Sequence, residues 1–347
     1  MPKPMTYAAT GVSIEAGDEA VERIKALTAS TTIPGVIGGI GGFGGLFAPK
    51  LDGMAEPVLV SATDGVGTKL AVARATQRWS SVGIDLVAMC VDDLVCSGAR
   101  PLFFLDYVAT GKVTPALLEQ LVTGVAEGCR QAGAALLGGE TAEHPGEMDP
   151  DAVDMAGFAV GIVDRGAMLG PERVQPGDRL VGIASPGLRS NGYSLARAVL
   201  LEHAGLALDG PAWDGADVSL ADELLRPSLI YCSAVLEAMA AAPGALHASC
   251  HVTGGGLAGN LVRSLPEGVV AKVKRGVLPV PRIFEEIARL GSVEPEEMDR
   301  VFNLGVGMIL VVAPDAEATV LASLAASGLE AASLGEVVAG ERGVELS

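Results

Sequence analysis

The apolar positions of this chain follow two recurring patterns, one typical of helices and the other typical of buried strands. Apolar residues three and four apart predict a helix with Asp18 as its N-cap, and another with Thr114 as its cap and Pro115 in its first turn. Short apolar runs predict strands over 57–62, 102–109, 134–137, 154–163, 180–184, 246–251 and 306–313. Further helices are predicted over 84–97, 193–202, 227–240 and 283–290, from Leu257 and from Pro314.

A polar segment, residues 164–178, separates two such mixtures of helices and strands. It contains two prolines and three glycines, and this density indicates a connection rather than a helix or strand. We therefore predict an α+β (mixed α/β) protein of two domains, residues 1–167 and residues 168–347. The pattern does not determine whether the sheets are parallel.

Composition and charge narrow the classes of function. Hydrophobic residues make up 49% of the 347 residues, enough for one or two full cores, so intrinsic disorder is excluded. Asp and Glu outnumber Lys and Arg by 42 to 24, so the basic footprint of a nucleic-acid binder is missing. The apolar runs are shorter than the ~20 residues that span a bilayer. Five cysteines without a CxxC pair, and an N-terminus without a secretory signal, predict free thiols in a cytoplasmic protein.

Glycine is abundant, with 46 residues, and many of these glycines lie in short loops. Residues 39–44 match the GxGxxG spacing of dinucleotide-binding loops, but a poor strand precedes them and Pro49 interrupts any following helix. We therefore do not predict a dinucleotide-binding fold. The bare backbone of this segment could still approach a phosphate closely, and a flexible loop is the alternative.

A second glycine loop follows the predicted strand over 57–62. Asp64 stands at the end of that strand, and two glycines, Thr68 and Lys69 follow it. A carboxylate in this position can hold Mg²⁺, the glycines admit phosphates, and the lysine can neutralise phosphoryl charge. The alternative is an ordinary Asp-Gly turn with a surface lysine.

Three further acids end or interrupt apolar elements. Asp92 and Asp93 lie in an apolar helix, and adjacent helical side chains diverge by about 100°, so at most one should face a given site. Glu140 follows the strand over 134–137 and two glycines. Each acid alone could be a surface or cap residue, but carboxylates are rarely buried without a cation. Together with Asp64, they predict a shared site for Mg²⁺ and a nucleotide.

Two loops of the second half share an arrangement of strand, hydroxyl group, glycine and helix. Residues 189–194 are Arg-Ser-Asn-Gly-Tyr-Ser, in which Ser190 or Asn191 could cap a helix that favours an anion such as a sugar phosphate. Residues 251–256 are His-Val-Thr-Gly-Gly-Gly. Ordinary capping is the alternative for either loop alone. Four such loops in two domains predict a cleft for two substrates.

Taken together, these segments closely resemble the phosphoribosylformylglycinamidine cyclo-ligases, or AIR synthetases, of purine biosynthesis. The resemblance covers nearly the whole chain. Its motifs are GGFGGLF (41–47), DGVGTKL (64–70), DLVAMCVDDLV (85–95), PLFFLDY (101–107), GGETAEHPG (138–146), SNGYSL (190–195), HVTGGGLAGN (251–260) and FNLGVGM (302–308).

The resemblance implies a homodimer in which the N-terminal domains pair their sheets into a β-barrel. It implies a C-terminal sandwich of helices on a mostly antiparallel sheet. The implied reaction converts 2-(formamido)-N1-(5-phosphoribosyl)acetamidine and ATP into 5-aminoimidazole ribonucleotide, ADP and phosphate. ATP and Mg²⁺ are therefore the expected cofactors, and a small ribonucleotide is the expected substrate.

The resemblance also implies roles for individual residues. Asp64, Asp93 and Glu140 match the ligands of Mg²⁺–ATP and Lys69 matches a phosphate contact; with Arg189, these are the implied catalytic residues. The implied ATP-binding positions are Gly41, Gly42, Phe43, Gly44, Gly45, Gly65, Gly67, Thr68 and Lys69. The implied substrate-binding positions are Arg189, Ser190, Asn191, Gly192, Thr253, Gly254 and Gly255.

Three features depart from the family pattern. Arg189 and Trp79 stand where the family usually has histidine, and residues 226–235 lack basic residues often found there. Arginine cannot shuttle a proton near neutral pH, but it can hold a phosphate or a developing negative charge. Two alternatives to a cyclo-ligase remain, namely another ATP-dependent phosphotransferase or synthetase of the same superfamily, and a non-catalytic nucleotide-binding homologue.

Overall fold

A computed structural model describes residues 5–347, so Met1–Pro4 of the predicted N-terminal domain lie outside the described residues. The elements of the N-terminal half are α1 (Ile14–Ala29), β1 (Val36–Ile37), β2 (Leu46–Phe47), β3 (Pro57–Gly65), α2 (Leu70–Thr76), α3 (Ser80–Val95), β4 (Arg100–Thr110), α4 (Pro115–Ala132), β5 (Ala135–Glu143) and β6 (Val153–Asp164). Those of the C-terminal half are β7 (Arg179–Ala184), α5 (Tyr193–Arg197), α6 (Leu220–Leu224), α7 (Cys232–Ala241), β8 (Leu246–His251), α8 (Gly256–Leu261), β9 (Val269–Val273), α9 (Arg282–Gly291), α10 (Pro295–Val301), β10 (Val306–Val312), α11 (Glu317–Ala326), β11 (Ala331–Ala339) and β12 (Gly343–Leu346).

The N-terminal sheet has the strand order β3-β6-β4-β5. Its strands are antiparallel except for the pair β4 and β5. Helix α3 packs on one face of this sheet, and α4 packs against α3. Because side chains alternate between the faces of a strand, Leu59, Tyr107 and Phe158 share the opposite face, where all three are exposed.

Helices α3 and α4 cross at two glycines. A Cβ atom at Gly124 would lie 1.8 Å from the carbonyl oxygen of Ser80, and one at Gly83 would lie 2.4 Å from that of Leu121. The absence of side chains at this crossing therefore lets the two backbones touch. This close approach packs α4 firmly against α3, which carries three acidic residues.

We expect Gly124→Ala to lower the free energy of unfolding by about 3 kcal/mol, because an added methyl group forces the two helix backbones apart. Urea titration of the purified protein measures this change. Gly17→Ala in α1 is the control, since a Cβ there meets no atom within 4 Å. Its helix propensity should raise stability by up to about 1 kcal/mol. Equal stability of Gly124→Ala and the parent protein would show that the crossing is not tightly packed.

The C-terminal sheet has the strand order β12-β9-β11-β7-β10-β8 and is antiparallel except for the pair β12 and β9. Every residue of β10 is buried, and its side chains alternate between two cores. Met308 and Leu310 belong to a core that continues into the N-terminal half, whereas Ile309 and Val311 pack with Leu261 of α8. The mixed fold, and the mostly antiparallel sheet between helices in the second half, are therefore confirmed.

Several predicted boundaries are wrong for identifiable reasons. Helix α1 begins at Ile14, because the Ser13 hydroxyl and not Asp18 accepts the capping hydrogen bond, from the Ala16 N–H at 3.1 Å. The helix predicted over 227–240 begins at Cys232. The helix predicted over 193–202 divides into α5 and a π-helical turn. The pattern also missed α2, α6, α10, β9, β11 and β12.

Other predictions agree with the described residues. Strand β8 has the predicted bounds, and all five cysteines are free. Within residues 5–347, no helix is both long enough and apolar enough to cross a membrane. The domain boundary within 164–178 and the dimeric barrel stay predictions.

Candidate functional site

Three loops that were predicted to bind ligands meet in a cleft between the two halves. We call them the Asp64 loop (64–69), the Arg189 loop (189–194) and the His251 loop (251–256). Thr68 Oγ1 lies 3.1 Å from Ser194 Oγ, which joins the first loop to the second. A Cβ atom at Gly254 would lie 3.7 Å from the amide nitrogen of Asn191, which brings the third loop beside the second. Three of the four predicted loops therefore meet between the two halves, and the cleft for two substrates stays a prediction.

Asp64 and Asp93 face the same part of this cleft. Asp64 is the penultimate residue of β3, and its Oδ1 accepts a hydrogen bond from the Gly65 N–H at 2.7 Å. Burial raises the pKa of Asp64, and the charge of Asp93 raises it further. The Asp93 side chain is 47% exposed, and its Oδ1 lies 2.8 Å from Nδ1 of His251. Each carboxylate keeps one oxygen that no donor among residues 5–347 contacts.

Asp92 points away from Asp93, as the angular spacing of adjacent helical residues predicts. Its Oδ1 accepts the N–H groups of Tyr231 and Cys232, at 2.8 and 3.0 Å, where α7 begins. Its Oδ2 accepts a hydrogen bond from Nη2 of Arg189 at 2.7 Å. A carboxylate at a helix N-terminus is stabilised by the free N–H groups and the helix dipole. Asp92 therefore joins α3 to α7 instead of facing the cleft.

Lys69 lies inside the contact between the two halves and has no exposed atom. Its ammonium group pairs with Asp85 at 2.5 Å and donates to the carbonyl oxygens of Arg189 and Arg226, at 3.1 and 2.8 Å. Burial lowers the pKa of Lys69, and Asp85 opposes that change. In this arrangement Lys69 offers no donor to a phosphate, so the predicted phosphate contact stays a prediction.

Arg189 is enclosed in the same way, with a side chain that is 1% exposed. Besides Asp92, its guanidinium donates to the Leu229 carbonyl oxygen at 2.9 Å, lies 3.0 Å from Nε2 of His251, and stacks 4.6 Å from the Tyr231 ring centre. The guanidinium therefore contacts protein groups and does not project into the open cleft. The direct catalytic and substrate contacts predicted for Arg189 stay predictions.

The Arg189 loop contains two buried polar atoms that lack a partner among the described residues, Ser190 Oγ and Asn191 Oδ1. Such an atom costs about 1–3 kcal/mol unless a ligand or water satisfies it. Beside them, the Asn260 amide donates to the carbonyl oxygens of Gly254 and Gly256, at 3.2 and 2.8 Å, which fixes the His251 loop. The two loops therefore form a rigid surface with unused polar atoms.

The remaining predicted positions of these loops shape the backbone. Gly192 has φ 74°, and a Cβ there would lie 2.2 Å from the Phe302 ring. Gly67 and Gly255 also have positive φ, and Thr253 Oγ1 contacts Asn260 Oδ1 at 3.3 Å. Only glycine adopts these angles without strain.

The glycine-rich segment is the tip of the hairpin formed by β1 and β2, and not a turn between a strand and a helix. It lines a cavity of about 730 Å³ together with Glu140 and residues of α1, α4, β4 and β5. The predicted ATP-binding positions from Gly41 to Gly45 all line this cavity, with Phe43 exposed. Among the described residues, no three Asp, Glu, His or Cys side chains are close enough to hold one ion. The structure therefore does not join Glu140, Asp64 and Asp93 into one three-ligand group.

Asp106 lies on the otherwise largely apolar wall of the same cavity. A Cβ at Gly139 of the neighbouring strand would lie 1.7 Å from its Oδ1, so the carboxylate fills the space that glycine leaves. Among residues 5–347, it has no side-chain partner. Burial consequently raises the pKa of Asp106 to about 7.

This pKa predicts a stability difference that depends on pH. The unfolded chain ionises Asp106 near its ordinary pKa of 3.8, whereas the folded chain does so near 7, so stability falls as pH rises between these values. The Asp106→Asn variant has no carboxyl group to ionise at this position, so its stability does not fall for this reason. The difference in free energy of unfolding between Asp106→Asn and the parent protein should therefore grow, in favour of the variant, by about 2–3 kcal/mol from pH 5 to pH 8. Urea titrations at both pH values test this; the exposed Asp18→Asn should show no such difference, and a constant difference for Asp106→Asn would contradict the raised pKa.

Sequence reasoning assigned no role to Asp85, Asp106 or the His251 ring. One signal was available, because Asp85 and Asp92 stand seven residues apart, which is two turns along one face of an apolar helix. Trp79, the second departure from the family pattern, is buried at the start of α3. Asp93 and His251 also line a polar groove of about 450 Å³ with Thr63, Asn260 and Arg263.

Comparisons with known proteins cover the same two halves. The family model for the N-terminal domain of AIR synthase related proteins matches residues 52–163. The family model for their C-terminal domain matches residues 175–346. The chain is 50% identical over 335 residues to the phosphoribosylformylglycinamidine cyclo-ligase of Sorangium cellulosum, covering 96% of this chain and 95% of that protein. It is 52% identical over 339 residues to that of Anaeromyxobacter dehalogenans, covering 98% and 97%. The structure of thiamine-monophosphate kinase from Stenotrophomonas maltophilia has the same fold, with a TM-score of 0.69, 23% identity and coverage of 95% and 96%.

Proposed function

Because this chain belongs to the AIR synthase related family and, within it, to the phosphoribosylformylglycinamidine cyclo-ligases, we propose that it is an ATP-dependent ligase of purine biosynthesis. It converts 2-(formamido)-N1-(5-phosphoribosyl)acetamidine to 5-aminoimidazole ribonucleotide. The observation that carries the proposal is the identity of about half of all residues over nearly the full length. The meeting of the Asp64, Arg189 and His251 loops in one cleft supports it.

The chemistry requires activation of a poor leaving group. The formyl amide oxygen of the substrate attacks the γ-phosphorus of ATP, and ADP departs. The substrate's own amine nitrogen then attacks the activated carbon and loses a proton, and phosphate departs with the former formyl oxygen. The protein's contribution to such transfers is chiefly positioning and stabilisation of charge.

The residues fit a Mg²⁺–nucleotide complex in a particular way. Mg²⁺ usually takes one or two carboxylates, keeps several waters and binds the substrate's phosphates. Asp64 and Asp93 each offer a free hard oxygen donor and would hold the ion, which supplies neutralisation of the phosphate charge when bound. The cavity lined by Gly41–Gly45 and Glu140 would take the nucleotide, with Asp106 beside it.

The ribonucleotide phosphate is assigned to the other side of the cleft. Ser190 Oγ and Asn191 Oδ1 are buried and have no hydrogen-bond partner in the described part of the chain, and the backbone of the His251 loop is held in place by Asn260. The hydroxyl and these N–H groups can donate to phosphate oxygens. Asn191 Oδ1 can accept a hydrogen bond from a ribose hydroxyl or the amidine.

The direct test incubates the purified chain with the authentic ribonucleotide, ATP and Mg²⁺, and measures ADP release and the aromatic amine product in parallel. We expect equal amounts of both, and no product without ATP or after chelation of Mg²⁺. Release of ADP with a different metabolite but not with this ribonucleotide would identify another member of the superfamily. Absence of turnover with nucleotide binding retained would indicate a non-catalytic homologue.

We also infer that the chain is a homodimer. The face of the N-terminal sheet with exposed Leu59, Tyr107 and Phe158 supports this inference, because a contiguous exposed apolar surface commonly marks an interface. Sedimentation equilibrium should give twice the chain mass, and Phe158→Asp should reduce it to the mass of one chain. A single-chain mass for the parent protein would refute the dimer.

The compartment is inferred as the cytoplasm. The five cysteines are free, and burial raises the pKa of the Cys96 thiol to about 12, so it is unreactive at neutral pH. Unpaired thiols of this kind are typical of proteins in a reducing environment.

A further inference from the structure

Four polar side chains form a closed circuit between the two halves. Asp92 Oδ2 lies 2.7 Å from Arg189 Nη2, which lies 3.0 Å from His251 Nε2. His251 Nδ1 lies 2.8 Å from Oδ1 of Asp93, and the α3 backbone connects Asp93 to Asp92. Asp92, Arg189 and His251 are buried, so water does not compete for these contacts.

The donors and acceptors in this circuit determine the position of one proton. A guanidinium group has only donors, so His251 Nε2 must accept the hydrogen bond from Arg189. A neutral imidazole has one donor and one acceptor, which leaves the proton on Nδ1. His251 therefore donates to Asp93.

The position of Asp93 depends on that donation. Oδ1 of Asp93 is used by His251, and its side chain is half exposed, which leaves the second oxygen open to the cleft. The positive charge of Arg189 is already paired with Asp92, and Asp92 is held by the N–H groups of Tyr231 and Cys232. Arg189 therefore directs Asp93 through the imidazole, without drawing it out of the cleft.

We propose that Arg189 and His251 are positioning residues, in which Arg189 selects the Nδ1–H tautomer of His251 and that tautomer orients Asp93 toward the bound cation. The inference rests on the proposed role of Asp93 as a Mg²⁺ ligand. It gives Arg189 a role that needs no contact with substrate. Groups that hold a metal-binding side chain in this way commonly contribute 10-fold to 100-fold to metal affinity.

The tautomer is tested first, by ¹⁵N NMR of the full-length chain labelled at its four histidines, with His251→Asn used for assignment. We expect a protonated Nδ1 and an unprotonated Nε2 for His251. The double variant Arg189→Met/Asp92→Asn removes the donor without leaving a buried unpaired charge, and it should lose this fixed tautomer. The remote pair His247–Asp178, whose Nδ1–Oδ2 distance is also 2.8 Å, is the internal control and should not change. A protonated Nε2 in the parent protein would overturn the proposal.

The effect on Asp93 is tested by the binding of Mn²⁺, with a non-hydrolysable ATP analogue present, measured by electron paramagnetic resonance. We expect the double variant to bind Mn²⁺ about 10-fold to 100-fold more weakly than the parent protein, and Arg189→Lys, which keeps a charged donor, to lose less. Equal Mn²⁺ affinity despite a changed tautomer would overturn the positioning role. Absence of Mn²⁺ binding by the parent protein would instead refute the proposed metal site, so the two failures are distinguishable. If the double variant does not fold, Arg189→Lys and the parent tautomer still decide the outcome.

Discussion

Replacing Asp64 with asparagine is expected to reduce kcat for formation of the aminoimidazole product by about a thousandfold or more. Asparagine keeps the shape of the side chain and its hydrogen bond from the Gly65 N–H, but it removes the negative charge beside Asp93. A cation that must neutralise ATP phosphates loses one of its two assigned carboxylates. A thousandfold loss corresponds to about 4 kcal/mol of transition-state stabilisation. Steady-state kinetics with saturating ATP measure it.

Asp154→Asn is a closely matched control for this experiment. Asp154 also accepts a hydrogen bond from the N–H of the next residue, at 2.9 Å, but it lies exposed on β6, and no hydrogen bond among residues 5–347 joins its side chain to the three loops. We expect its kcat to stay within a factor of about two of the parent value. Normal turnover by Asp64→Asn would remove Asp64 from the metal assignment. A large loss in Asp154→Asn would show that the assay responds to structural damage.

Replacing Lys69 with methionine is expected to lower the free energy of unfolding by about 3–5 kcal/mol, because it leaves the Asp85 carboxylate buried without its cation. The Ser228 N–H and hydroxyl donate to one oxygen of that carboxylate, at 2.8 and 2.6 Å, so we expect a loss of stability near the lower end of this range. Urea titration measures the loss. The double variant Lys69→Met/Asp85→Asn should be more stable than the sum of the single changes predicts, since no unpaired charge remains.

An exposed ion pair provides the comparison for Lys69. Arg165 and Glu56 lie 2.9 Å apart with both side chains 67% exposed, so Arg165→Met should change stability by less than about 1 kcal/mol. The KM for ATP of the folded fraction of Lys69→Met distinguishes a structural role of this lysine from a phosphate contact. An unchanged KM for ATP would support the purely structural role seen here, whereas a KM raised at least tenfold would restore the predicted phosphate contact.

The fold was predictable from the sequence wherever an element has one clearly buried face. Strand β8 agrees at both ends with the apolar run that predicts it, because the run ends where the glycine loop begins. Helix starts were less predictable, since the apolar spacing placed the cap of α1 at Asp18, whereas the Ser13 hydroxyl caps the helix. The late start of α7 depends on Asp92 of a different element, and no local pattern contains that information.

The chemistry of the site was predictable to a similar extent. The divergence of Asp92 and Asp93 followed from helix geometry and is observed in the structure. The environment of Lys69 could not be predicted, because a lysine after an Asp-Gly turn is compatible with both an exposed and a buried position. Lys69 is buried because its ammonium group pairs with Asp85 and donates to two carbonyl oxygens of the other half. Only the tertiary structure brings these groups within reach of the lysine.

The contacts of α3 with the second half also have a consequence for folding during synthesis. The N-terminal half leaves the ribosome before residues 226–232 have been made, so Asp92 then lacks the N–H groups of Tyr231 and Cys232, and Arg189. All the groups that cover Asp92 belong to the second half, so until that half is made this carboxylate faces water and the surface of α3 that packs against α7 stays uncovered. The two halves, although separate in sequence, therefore complete their folding together.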